Sequence, residues 1–389
     1  MTTSKPWAHP ASFALILLGM MGASIAYAPG SLAQPSPLKT EHQHAFYIPA
    51  IDTFMREQLD ETGLPGAALV VTHGGQIVHL AGYGEAREGE LVTPDTQFYV
   101  ASVSKSFTAL AVMQLVEAGA VGLDTPVVDY IPDFETAASG HAEQVTVRHL
   151  LNQTSGLSYE GFAAVAPQQQ PRSTEELLAL IKDVTPTSAP GEQFDYFDPN
   201  YGIAARLVEV VGGSTFEDYL ESNVFAPLEM KDSFSVVRAE DAPGEAQALA
   251  QGYRFHDGMM IQVHEQGYLG GSGGIVSTVR DLGNYLIMQI QDGVFGNHTL
   301  ASPRSITTMH TPAHGIASPY AMGWVVLDAD ASPLVVHNWG DLESFRADLM
   351  LLPDEELGVA LLYNASADPQ VFEDLREGVI GILTQAKPQ

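Results

Sequence analysis

The chain has no cysteine in its 389 residues, which removes disulfides, thiolate nucleophiles, zinc–thiolate sites and a cysteine-linked lipid from consideration. Positive charge is scarce as well: 17 lysines and arginines stand against 47 aspartates and glutamates, a formal net charge of −30. Such an acidic balance argues against nucleic acid and anionic membrane surfaces as partners, says nothing about the fold, and suits a protein kept soluble in a salty or external medium. No His-Glu-x-x-His or comparable cluster occurs, so neither a catalytic metal nor a cofactor is expected. Internal repeats and low-complexity tracts are missing too. What is present is a composition 45% apolar and 16% charged, enough for a sizeable core in one or two domains.

The N-terminus reads as an export signal over residues 1–33. Lys5 is the only charged side chain before Lys39, and an apolar run of 18 residues spans Ala11 to Ala28. Of two small-x-small sites, Ala26-Tyr27-Ala28 is followed by the unfavourable Pro29, so cleavage is expected after Ser31-Leu32-Ala33. An uncleaved anchor is the alternative, because the run is near the lower length limit for a span. Either way the working part lies outside the cytoplasm, periplasmic or secreted, with no stable membrane anchor if the signal is cut. Residues 34–45 read as a flexible leader, in which His42 and His44 are solvated rather than metal ligands.

Further on, Phe46–Glu61 has helical periodicity, and Ala67–Val71 with Ile77–Ala81 reads as a β-hairpin about His73-Gly74-Gly75-Gln76. Residues 122–142 are loop-like. Helix starts are signalled at Thr146, at the capping boxes Ser173–Glu176 and Ser214–Glu217, at Asp198-Pro199 and at Ser302-Pro303. A helix from about Val279 to Gln291 follows a glycine cluster. Four strands are then expected at Gly323–Leu327, Leu334–His337, Arg346–Leu352 and Gly358–Tyr363, with a closing helix after Asp368-Pro369. Strands at both ends and helices between them predict an α+β fold, one antiparallel sheet built from both termini with a helical region inserted. The α/β part would be about 46–99 and 315–385, the helical part about 100–314.

Phe98–Gly119 reads as one long helix, apolar on nearly every side and therefore buried all round. Ser102 and Lys105 lie at its start, three residues apart and so on one face, about 5–6 Å apart between Cβ atoms. A lysine buried there is costly unless its charge is held or used. It is either a core lysine paired with a carboxylate or the partner of an activated serine nucleophile. Tyr196, by itself, reads as a half-buried aromatic, Asp198 as a helix cap, and His337-Asn338-Trp339-Gly340 as a strand end. Gly270–Gly274 satisfies G-x-S-x-G, but His264–Tyr268 is a poor buried strand to precede a nucleophile elbow, so a glycine-rich cleft wall is preferred.

Several of these stretches together resemble the serine β-lactamase and penicillin-binding protein superfamily. The branch is that of class C β-lactamases, D-alanyl-D-alanine carboxypeptidases, D-aminopeptidases and related esterases. The resemblance covers roughly residues 46–385. It is carried by Gly63–Ala67, Thr96–Lys105, Thr146–Leu157, Phe194–Ala205, Gly270–Leu282 and Pro353–Asn364. It implies a β-lactamase/transpeptidase-like fold, Ser102 as the acylated nucleophile, Lys105 as its proton partner and Tyr196 as the tyrosine of a Tyr-x-Asn motif. The oxyanion hole would use the N–H of Ser102 and one from the strand around Gly340 and Asp341. Two departures stand out. The motif's asparagine is Asp198 here, an acceptor-only group that would favour the charged form of a nearby Lys105 and weaken it as a base, unless Asp198 simply caps the next helix. The histidine of the third motif falls on Asn338, with His337 one residue early. Because strand side chains alternate faces, either a bulge brings His337 to the site or Asn338 substitutes for it. A lost cation there tilts the expectation towards neutral esters or amides, or towards weak β-lactam activity. The expected function is an exported serine hydrolase forming an acyl-enzyme on a β-lactam, a D-amino-acid peptide or a small ester. The alternative is a catalytically weak or silent relative that binds cell-wall peptide or a protein partner.

Overall fold

The computed structural model describes residues 47–385 apart from 166–169, 243–247, 257–258 and 328–333. The export signal, the leader, His42 and His44 therefore lie outside the described residues. The main sheet has seven strands: β1 (Gly66–His73), β2 (Gln76–Arg87), β3 (Glu90–Leu91), β4 (Val325–Val326), β5 (Val336–Asp341), β6 (Arg346–Leu352) and β7 (Leu357–Tyr363), in the order β4-β5-β6-β7-β1-β2-β3. All neighbours are antiparallel, and β1 joins the two ends of the chain by pairing with β7 from Ala67↔Tyr363 to His73↔Leu357. The β1–β2 turn needs Gly74 and Gly75 because both take positive φ, 57° and 78°.

β1 reads as an unbroken apolar run because both its faces are covered. Leu69 and Val71 face helices α1 (Ile48–Thr62) and α5 (Pro369–Gln385), where Ile51, Met55, Leu59, Phe372, Leu375 and Val379 close a small core. Ala68 and Val70 face the larger core shared with the inserted helices. That region contains α2 (Ser104–Glu117), α3 (Pro199–Gly212) and α4 (Val279–Ile290), the last lying across β1 and β7.

Three local expectations change. The helix does not start at Phe98: Phe98–Tyr99 pair with Ile275–Ser277, a single 3₁₀ turn covers Ala101–Val103, and α2 begins only at Ser104. A short apolar run carries no period that separates strand from helix, and pairing with a distant segment decides it. The cap expected at Ser214 is one residue later, where Thr215 accepts from the Asp218 N–H. The hairpin Gly252–His256 and Met259–Val263, against Ala365–Ser366, was not foreseen. No helix among the described residues is long and apolar enough to cross a membrane.

Candidate active site

Ser102 sits in the 3₁₀ turn ahead of α2, directly after Ala101, whose φ of 50° is left-handed and costly for a residue with a side chain. The turn is held between two neighbours. On one side the Val100 N–H donates to the Ile275 carbonyl. On the other lies β5, where a Cβ on Gly340 would stand 2.2 Å from the Val100 carbonyl oxygen and 2.8 Å from the Ser102 nitrogen. Only glycine lets the strand come this close, and the approach sets the β5 backbone beside the Ser102 N–H.

One turn beyond Ser102, as the second residue of α2, Lys105 is 1% exposed. Its Nζ lies 3.0 Å from Ser102 Oγ, 2.8 Å from the Ser272 carbonyl oxygen and 2.6 Å from Asp198 Oδ1. Three oxygens thus surround the nitrogen. The nitrogen also stands 4.9 Å from the centre of the Tyr196 ring. Tyr196 donates its hydroxyl to Ser102 Oγ over 2.9 Å. Burial first and the Asp198 carboxylate second push that phenol well above its ordinary range, so it is a neutral donor.

Asp198 precedes Pro199, the first residue of α3, yet its side chain makes no cap hydrogen bond. Its carboxylate takes Lys105 on one oxygen and the Tyr159 hydroxyl, at short range, on the other. The cap reading of Asp198 is therefore replaced by the ion pair: a lysine buried to this extent draws the nearest carboxylate. Tyr159 escaped the sequence reading, its only signal being that it closely follows the Thr154-Ser155-Gly156-Leu157 turn. The segment that presents Tyr196 and Asp198 is fastened from behind. The Phe197 N–H and the Asn200 side chain donate to Gln153 Oε1, at 3.2 and 2.7 Å, and Ser155 donates to Asn200 Oδ1 at 2.8 Å. Asp195, half-buried in the same segment, has its carboxyl raised to about 6 by burial and by the nearby Glu160.

The third motif resolves on strand parity. β5 and β6 pair without a register shift from Val336↔Leu351 to Asp341↔Arg346, so no bulge brings His337 to the cleft. Asn338 and Gly340 face the serine, and Asn338 Nδ2 donates to the Val103 carbonyl over 3.3 Å. His337, assigned above to substrate binding, belongs to the opposite face. It is 1% exposed, stacks on Trp339, and has Nε2 3.1 Å from Asp348 Oδ1. Burial outweighs that carboxylate and lowers the imidazole below its usual range. The Asp341 side chain also points away, 3.8 Å from Arg346 Nη1, so only its backbone adjoins the site. Arg346 and Arg376 each lie 3.8 Å from the fully buried Asp348 and close a charge cluster behind β5.

Gly270–Gly274 is a wall of the site rather than a nucleophile elbow. Ser272 donates its hydroxyl to the Leu269 carbonyl, and its own carbonyl receives Lys105. Among the described residues no group of three or more acids and histidines could hold a metal ion.

Comparison with known proteins identifies the family of the chain. The chain matches the family model described as Beta-lactamase over residues 51–381. It is 30% identical to penicillin-binding protein 4 of Amycolatopsis lactamdurans, over 83% of this chain and 87% of that protein. It is 24% identical to protein flp of Staphylococcus aureus strain MW2, over 87% of this chain and 70% of the relative. Among solved structures it superposes on the octameric penicillin-binding protein homologue from Pyrococcus abyssi with a TM-score of 0.72. There the identity is 26%, and 86% of this chain and 77% of that one are covered. The chain belongs to the Beta-lactamase family and has the serine acyl-transferase and hydrolase fold of that family and of the penicillin-binding proteins.

Proposed function

We propose that the protein is a serine hydrolase that acts outside the cytoplasm and forms an acyl-enzyme on a neutral ester or amide. The observation that carries this reading is the convergence of Lys105 Nζ and the Tyr196 hydroxyl on Ser102 Oγ, at 3.0 and 2.9 Å. In acylation Oγ bonds to the substrate carbonyl carbon and the bond to the leaving group breaks. The proton lost by Ser102 ends on the departing amine or alcohol, with Lys105 and Tyr196 as the two groups placed to carry it. The developing oxyanion would be met by the Ser102 N–H and one from β5 at Gly340–Asp341. Water then cleaves the acyl-enzyme by the reverse sequence. The preference for a neutral substrate rests on β5, where Asn338 offers an amide in place of a cation and cannot anchor a carboxylate by charge. Export rests on the apolar Ala11–Ala28 run behind Lys5.

The test is labelling of the purified protein with a fluorescent penicillin and with a fluorophosphonate, beside Ser102→Ala. A serine-dependent adduct is expected, stronger with the phosphonate. Its absence with both probes, together with muropeptide binding that survives Ser102→Ala, would make the protein a binding relative without turnover.

A further inference from the structure

Of the eleven arginines in this acidic chain, ten have a carboxylate oxygen within 4 Å: Arg56, Arg87, Arg148, Arg172, Arg206, Arg238, Arg254, Arg280, Arg346 and Arg376. Arg304 has none among the described residues. In so acidic a chain, a guanidinium with no carboxylate near it among the described residues is the exception. Nor is it on a convex surface, where water alone would serve it. It lines a groove of about 550 Å³ between the helix Val147–Leu151, the helix Pro303–Met309 and the loop that follows to Ile316. Among the described residues its lining has no aspartate or glutamate and shares no residue with the serine site. Arg148 and His314 stand on its walls, with Thr308 supplying a hydroxyl. Arg148 is already neutralised by Asp124 through two hydrogen bonds of 2.6 and 2.9 Å, so the free charge of the groove belongs to Arg304.

A second, independent feature belongs to the floor. Asn152, only 3% exposed, lines the same groove, and its amide oxygen has no hydrogen-bond partner. A buried amide oxygen left unpaired is costly, and a ligand that satisfies it recovers that cost. Arg304 calls for a carboxylate held by its planar fork, and Asn152 for an N–H donor beside it. We infer that this groove is a second, non-catalytic binding site for a ligand with a free carboxylate next to an amide N–H, the chemistry of an acylated amino acid or a peptide C-terminus.

The readout is binding rather than turnover, so the inference stands or falls apart from the serine chemistry. Isothermal titration calorimetry on the full-length Ser102→Ala protein would compare N-acetyl-alanyl-alanine, its C-terminal amide and inorganic phosphate. The acid is expected to bind, the amide at least ten-fold more weakly. Arg304→Ala, an exposed position, should weaken the acid at least ten-fold, and Asn152→Leu should weaken it several-fold. In the otherwise native chain, Arg304→Ala should leave ester hydrolysis unchanged. Equal binding of acid and amide, or binding indifferent to Arg304→Ala, would overturn the inference. So would phosphate that binds as tightly and with the same dependence on Arg304, since the groove would then recognise charge without an amide.

Discussion

At the scale of single residues, the two departures from the family pattern, Asp198 and Asn338, both concern charge, and structure assigns each a consequence. Lys105 Nζ has a carboxylate oxygen 2.6 Å away at the position where the family motif carries an amide, so the Asp198 charge competes with Ser102 for the lysine. Asp198→Asn is therefore expected to raise the rate of Ser102 acylation by a nitrophenyl ester about ten-fold, equivalent to about 1.4 kcal/mol of barrier. A stopped-flow rate that stays the same or falls would show that the carboxylate does not restrain the lysine. Asp195 supplies a pH dependence of stability. Its carboxyl is raised to about 6 in the folded state against 3.8 unfolded, so it opposes folding once the unfolded group ionises. That cost develops between pH 4 and pH 6 and is complete above. For a half-buried group, after allowance for solvent screening, it amounts to about 1 kcal/mol. Asp195→Asn should accordingly stabilise the protein by about that much in urea at pH 7.5 and by little at pH 4.5.

At the scale of elements, β5 divides two kinds of chemistry by parity. Its serine-facing side carries Asn338 and Gly340, and its other side carries His337 and Trp339 against Asp348. The alternation was legible in the sequence, but the choice between His337 and Asn338 was not, because a bulge is invisible until both strands are paired. The same holds for the turn before α2. The run Phe98–Val100 is apolar whether strand or helix, and only pairing with Ile275–Ser277 detaches it from α2 and places Ser102 in a strained turn. Gly340 is the joint between these elements. In Gly340→Ala the new Cβ meets the Val100 carbonyl, and β5 must move away from the Ser102 N–H. Acylation by the fluorophosphonate is expected to slow about 100-fold, the cost of roughly 1 Å of misplacement, with the circular dichroism spectrum retained. Undiminished labelling would remove β5 from the oxyanion hole.

At the scale of the whole molecule, the sheet depends on strands from opposite ends of the chain and on helices that cover both faces. α5 closes the small core with Phe372, Leu375 and Val379, all at most 1% exposed. Three such side chains contribute about 1.5–3 kcal/mol each, a sum comparable with the whole stability of a typical protein. Deletion of Pro369–Gln385 should abolish cooperative unfolding. A truncated protein that still melts in one sharp step by circular dichroism would show that α1 covers the sheet alone.

Local physics was readable from the chain without coordinates. The hairpin at Gly74–Gly75, the caps at Thr146, Ser173 and Ser302, the buried character of α2 and the close placement of Ser102 and Lys105 all rest on neighbours a few residues apart, whose effects sequence spacing fixes. Tertiary structure alone decided the partners of the charges. Lys105 meets an aspartate 93 residues away, Tyr159 reaches the other oxygen of that carboxylate, and Arg304 meets none among the described residues. Ion pairs at that separation are set by how strands and helices pack, and no local pattern of residues encodes which acid a base will find.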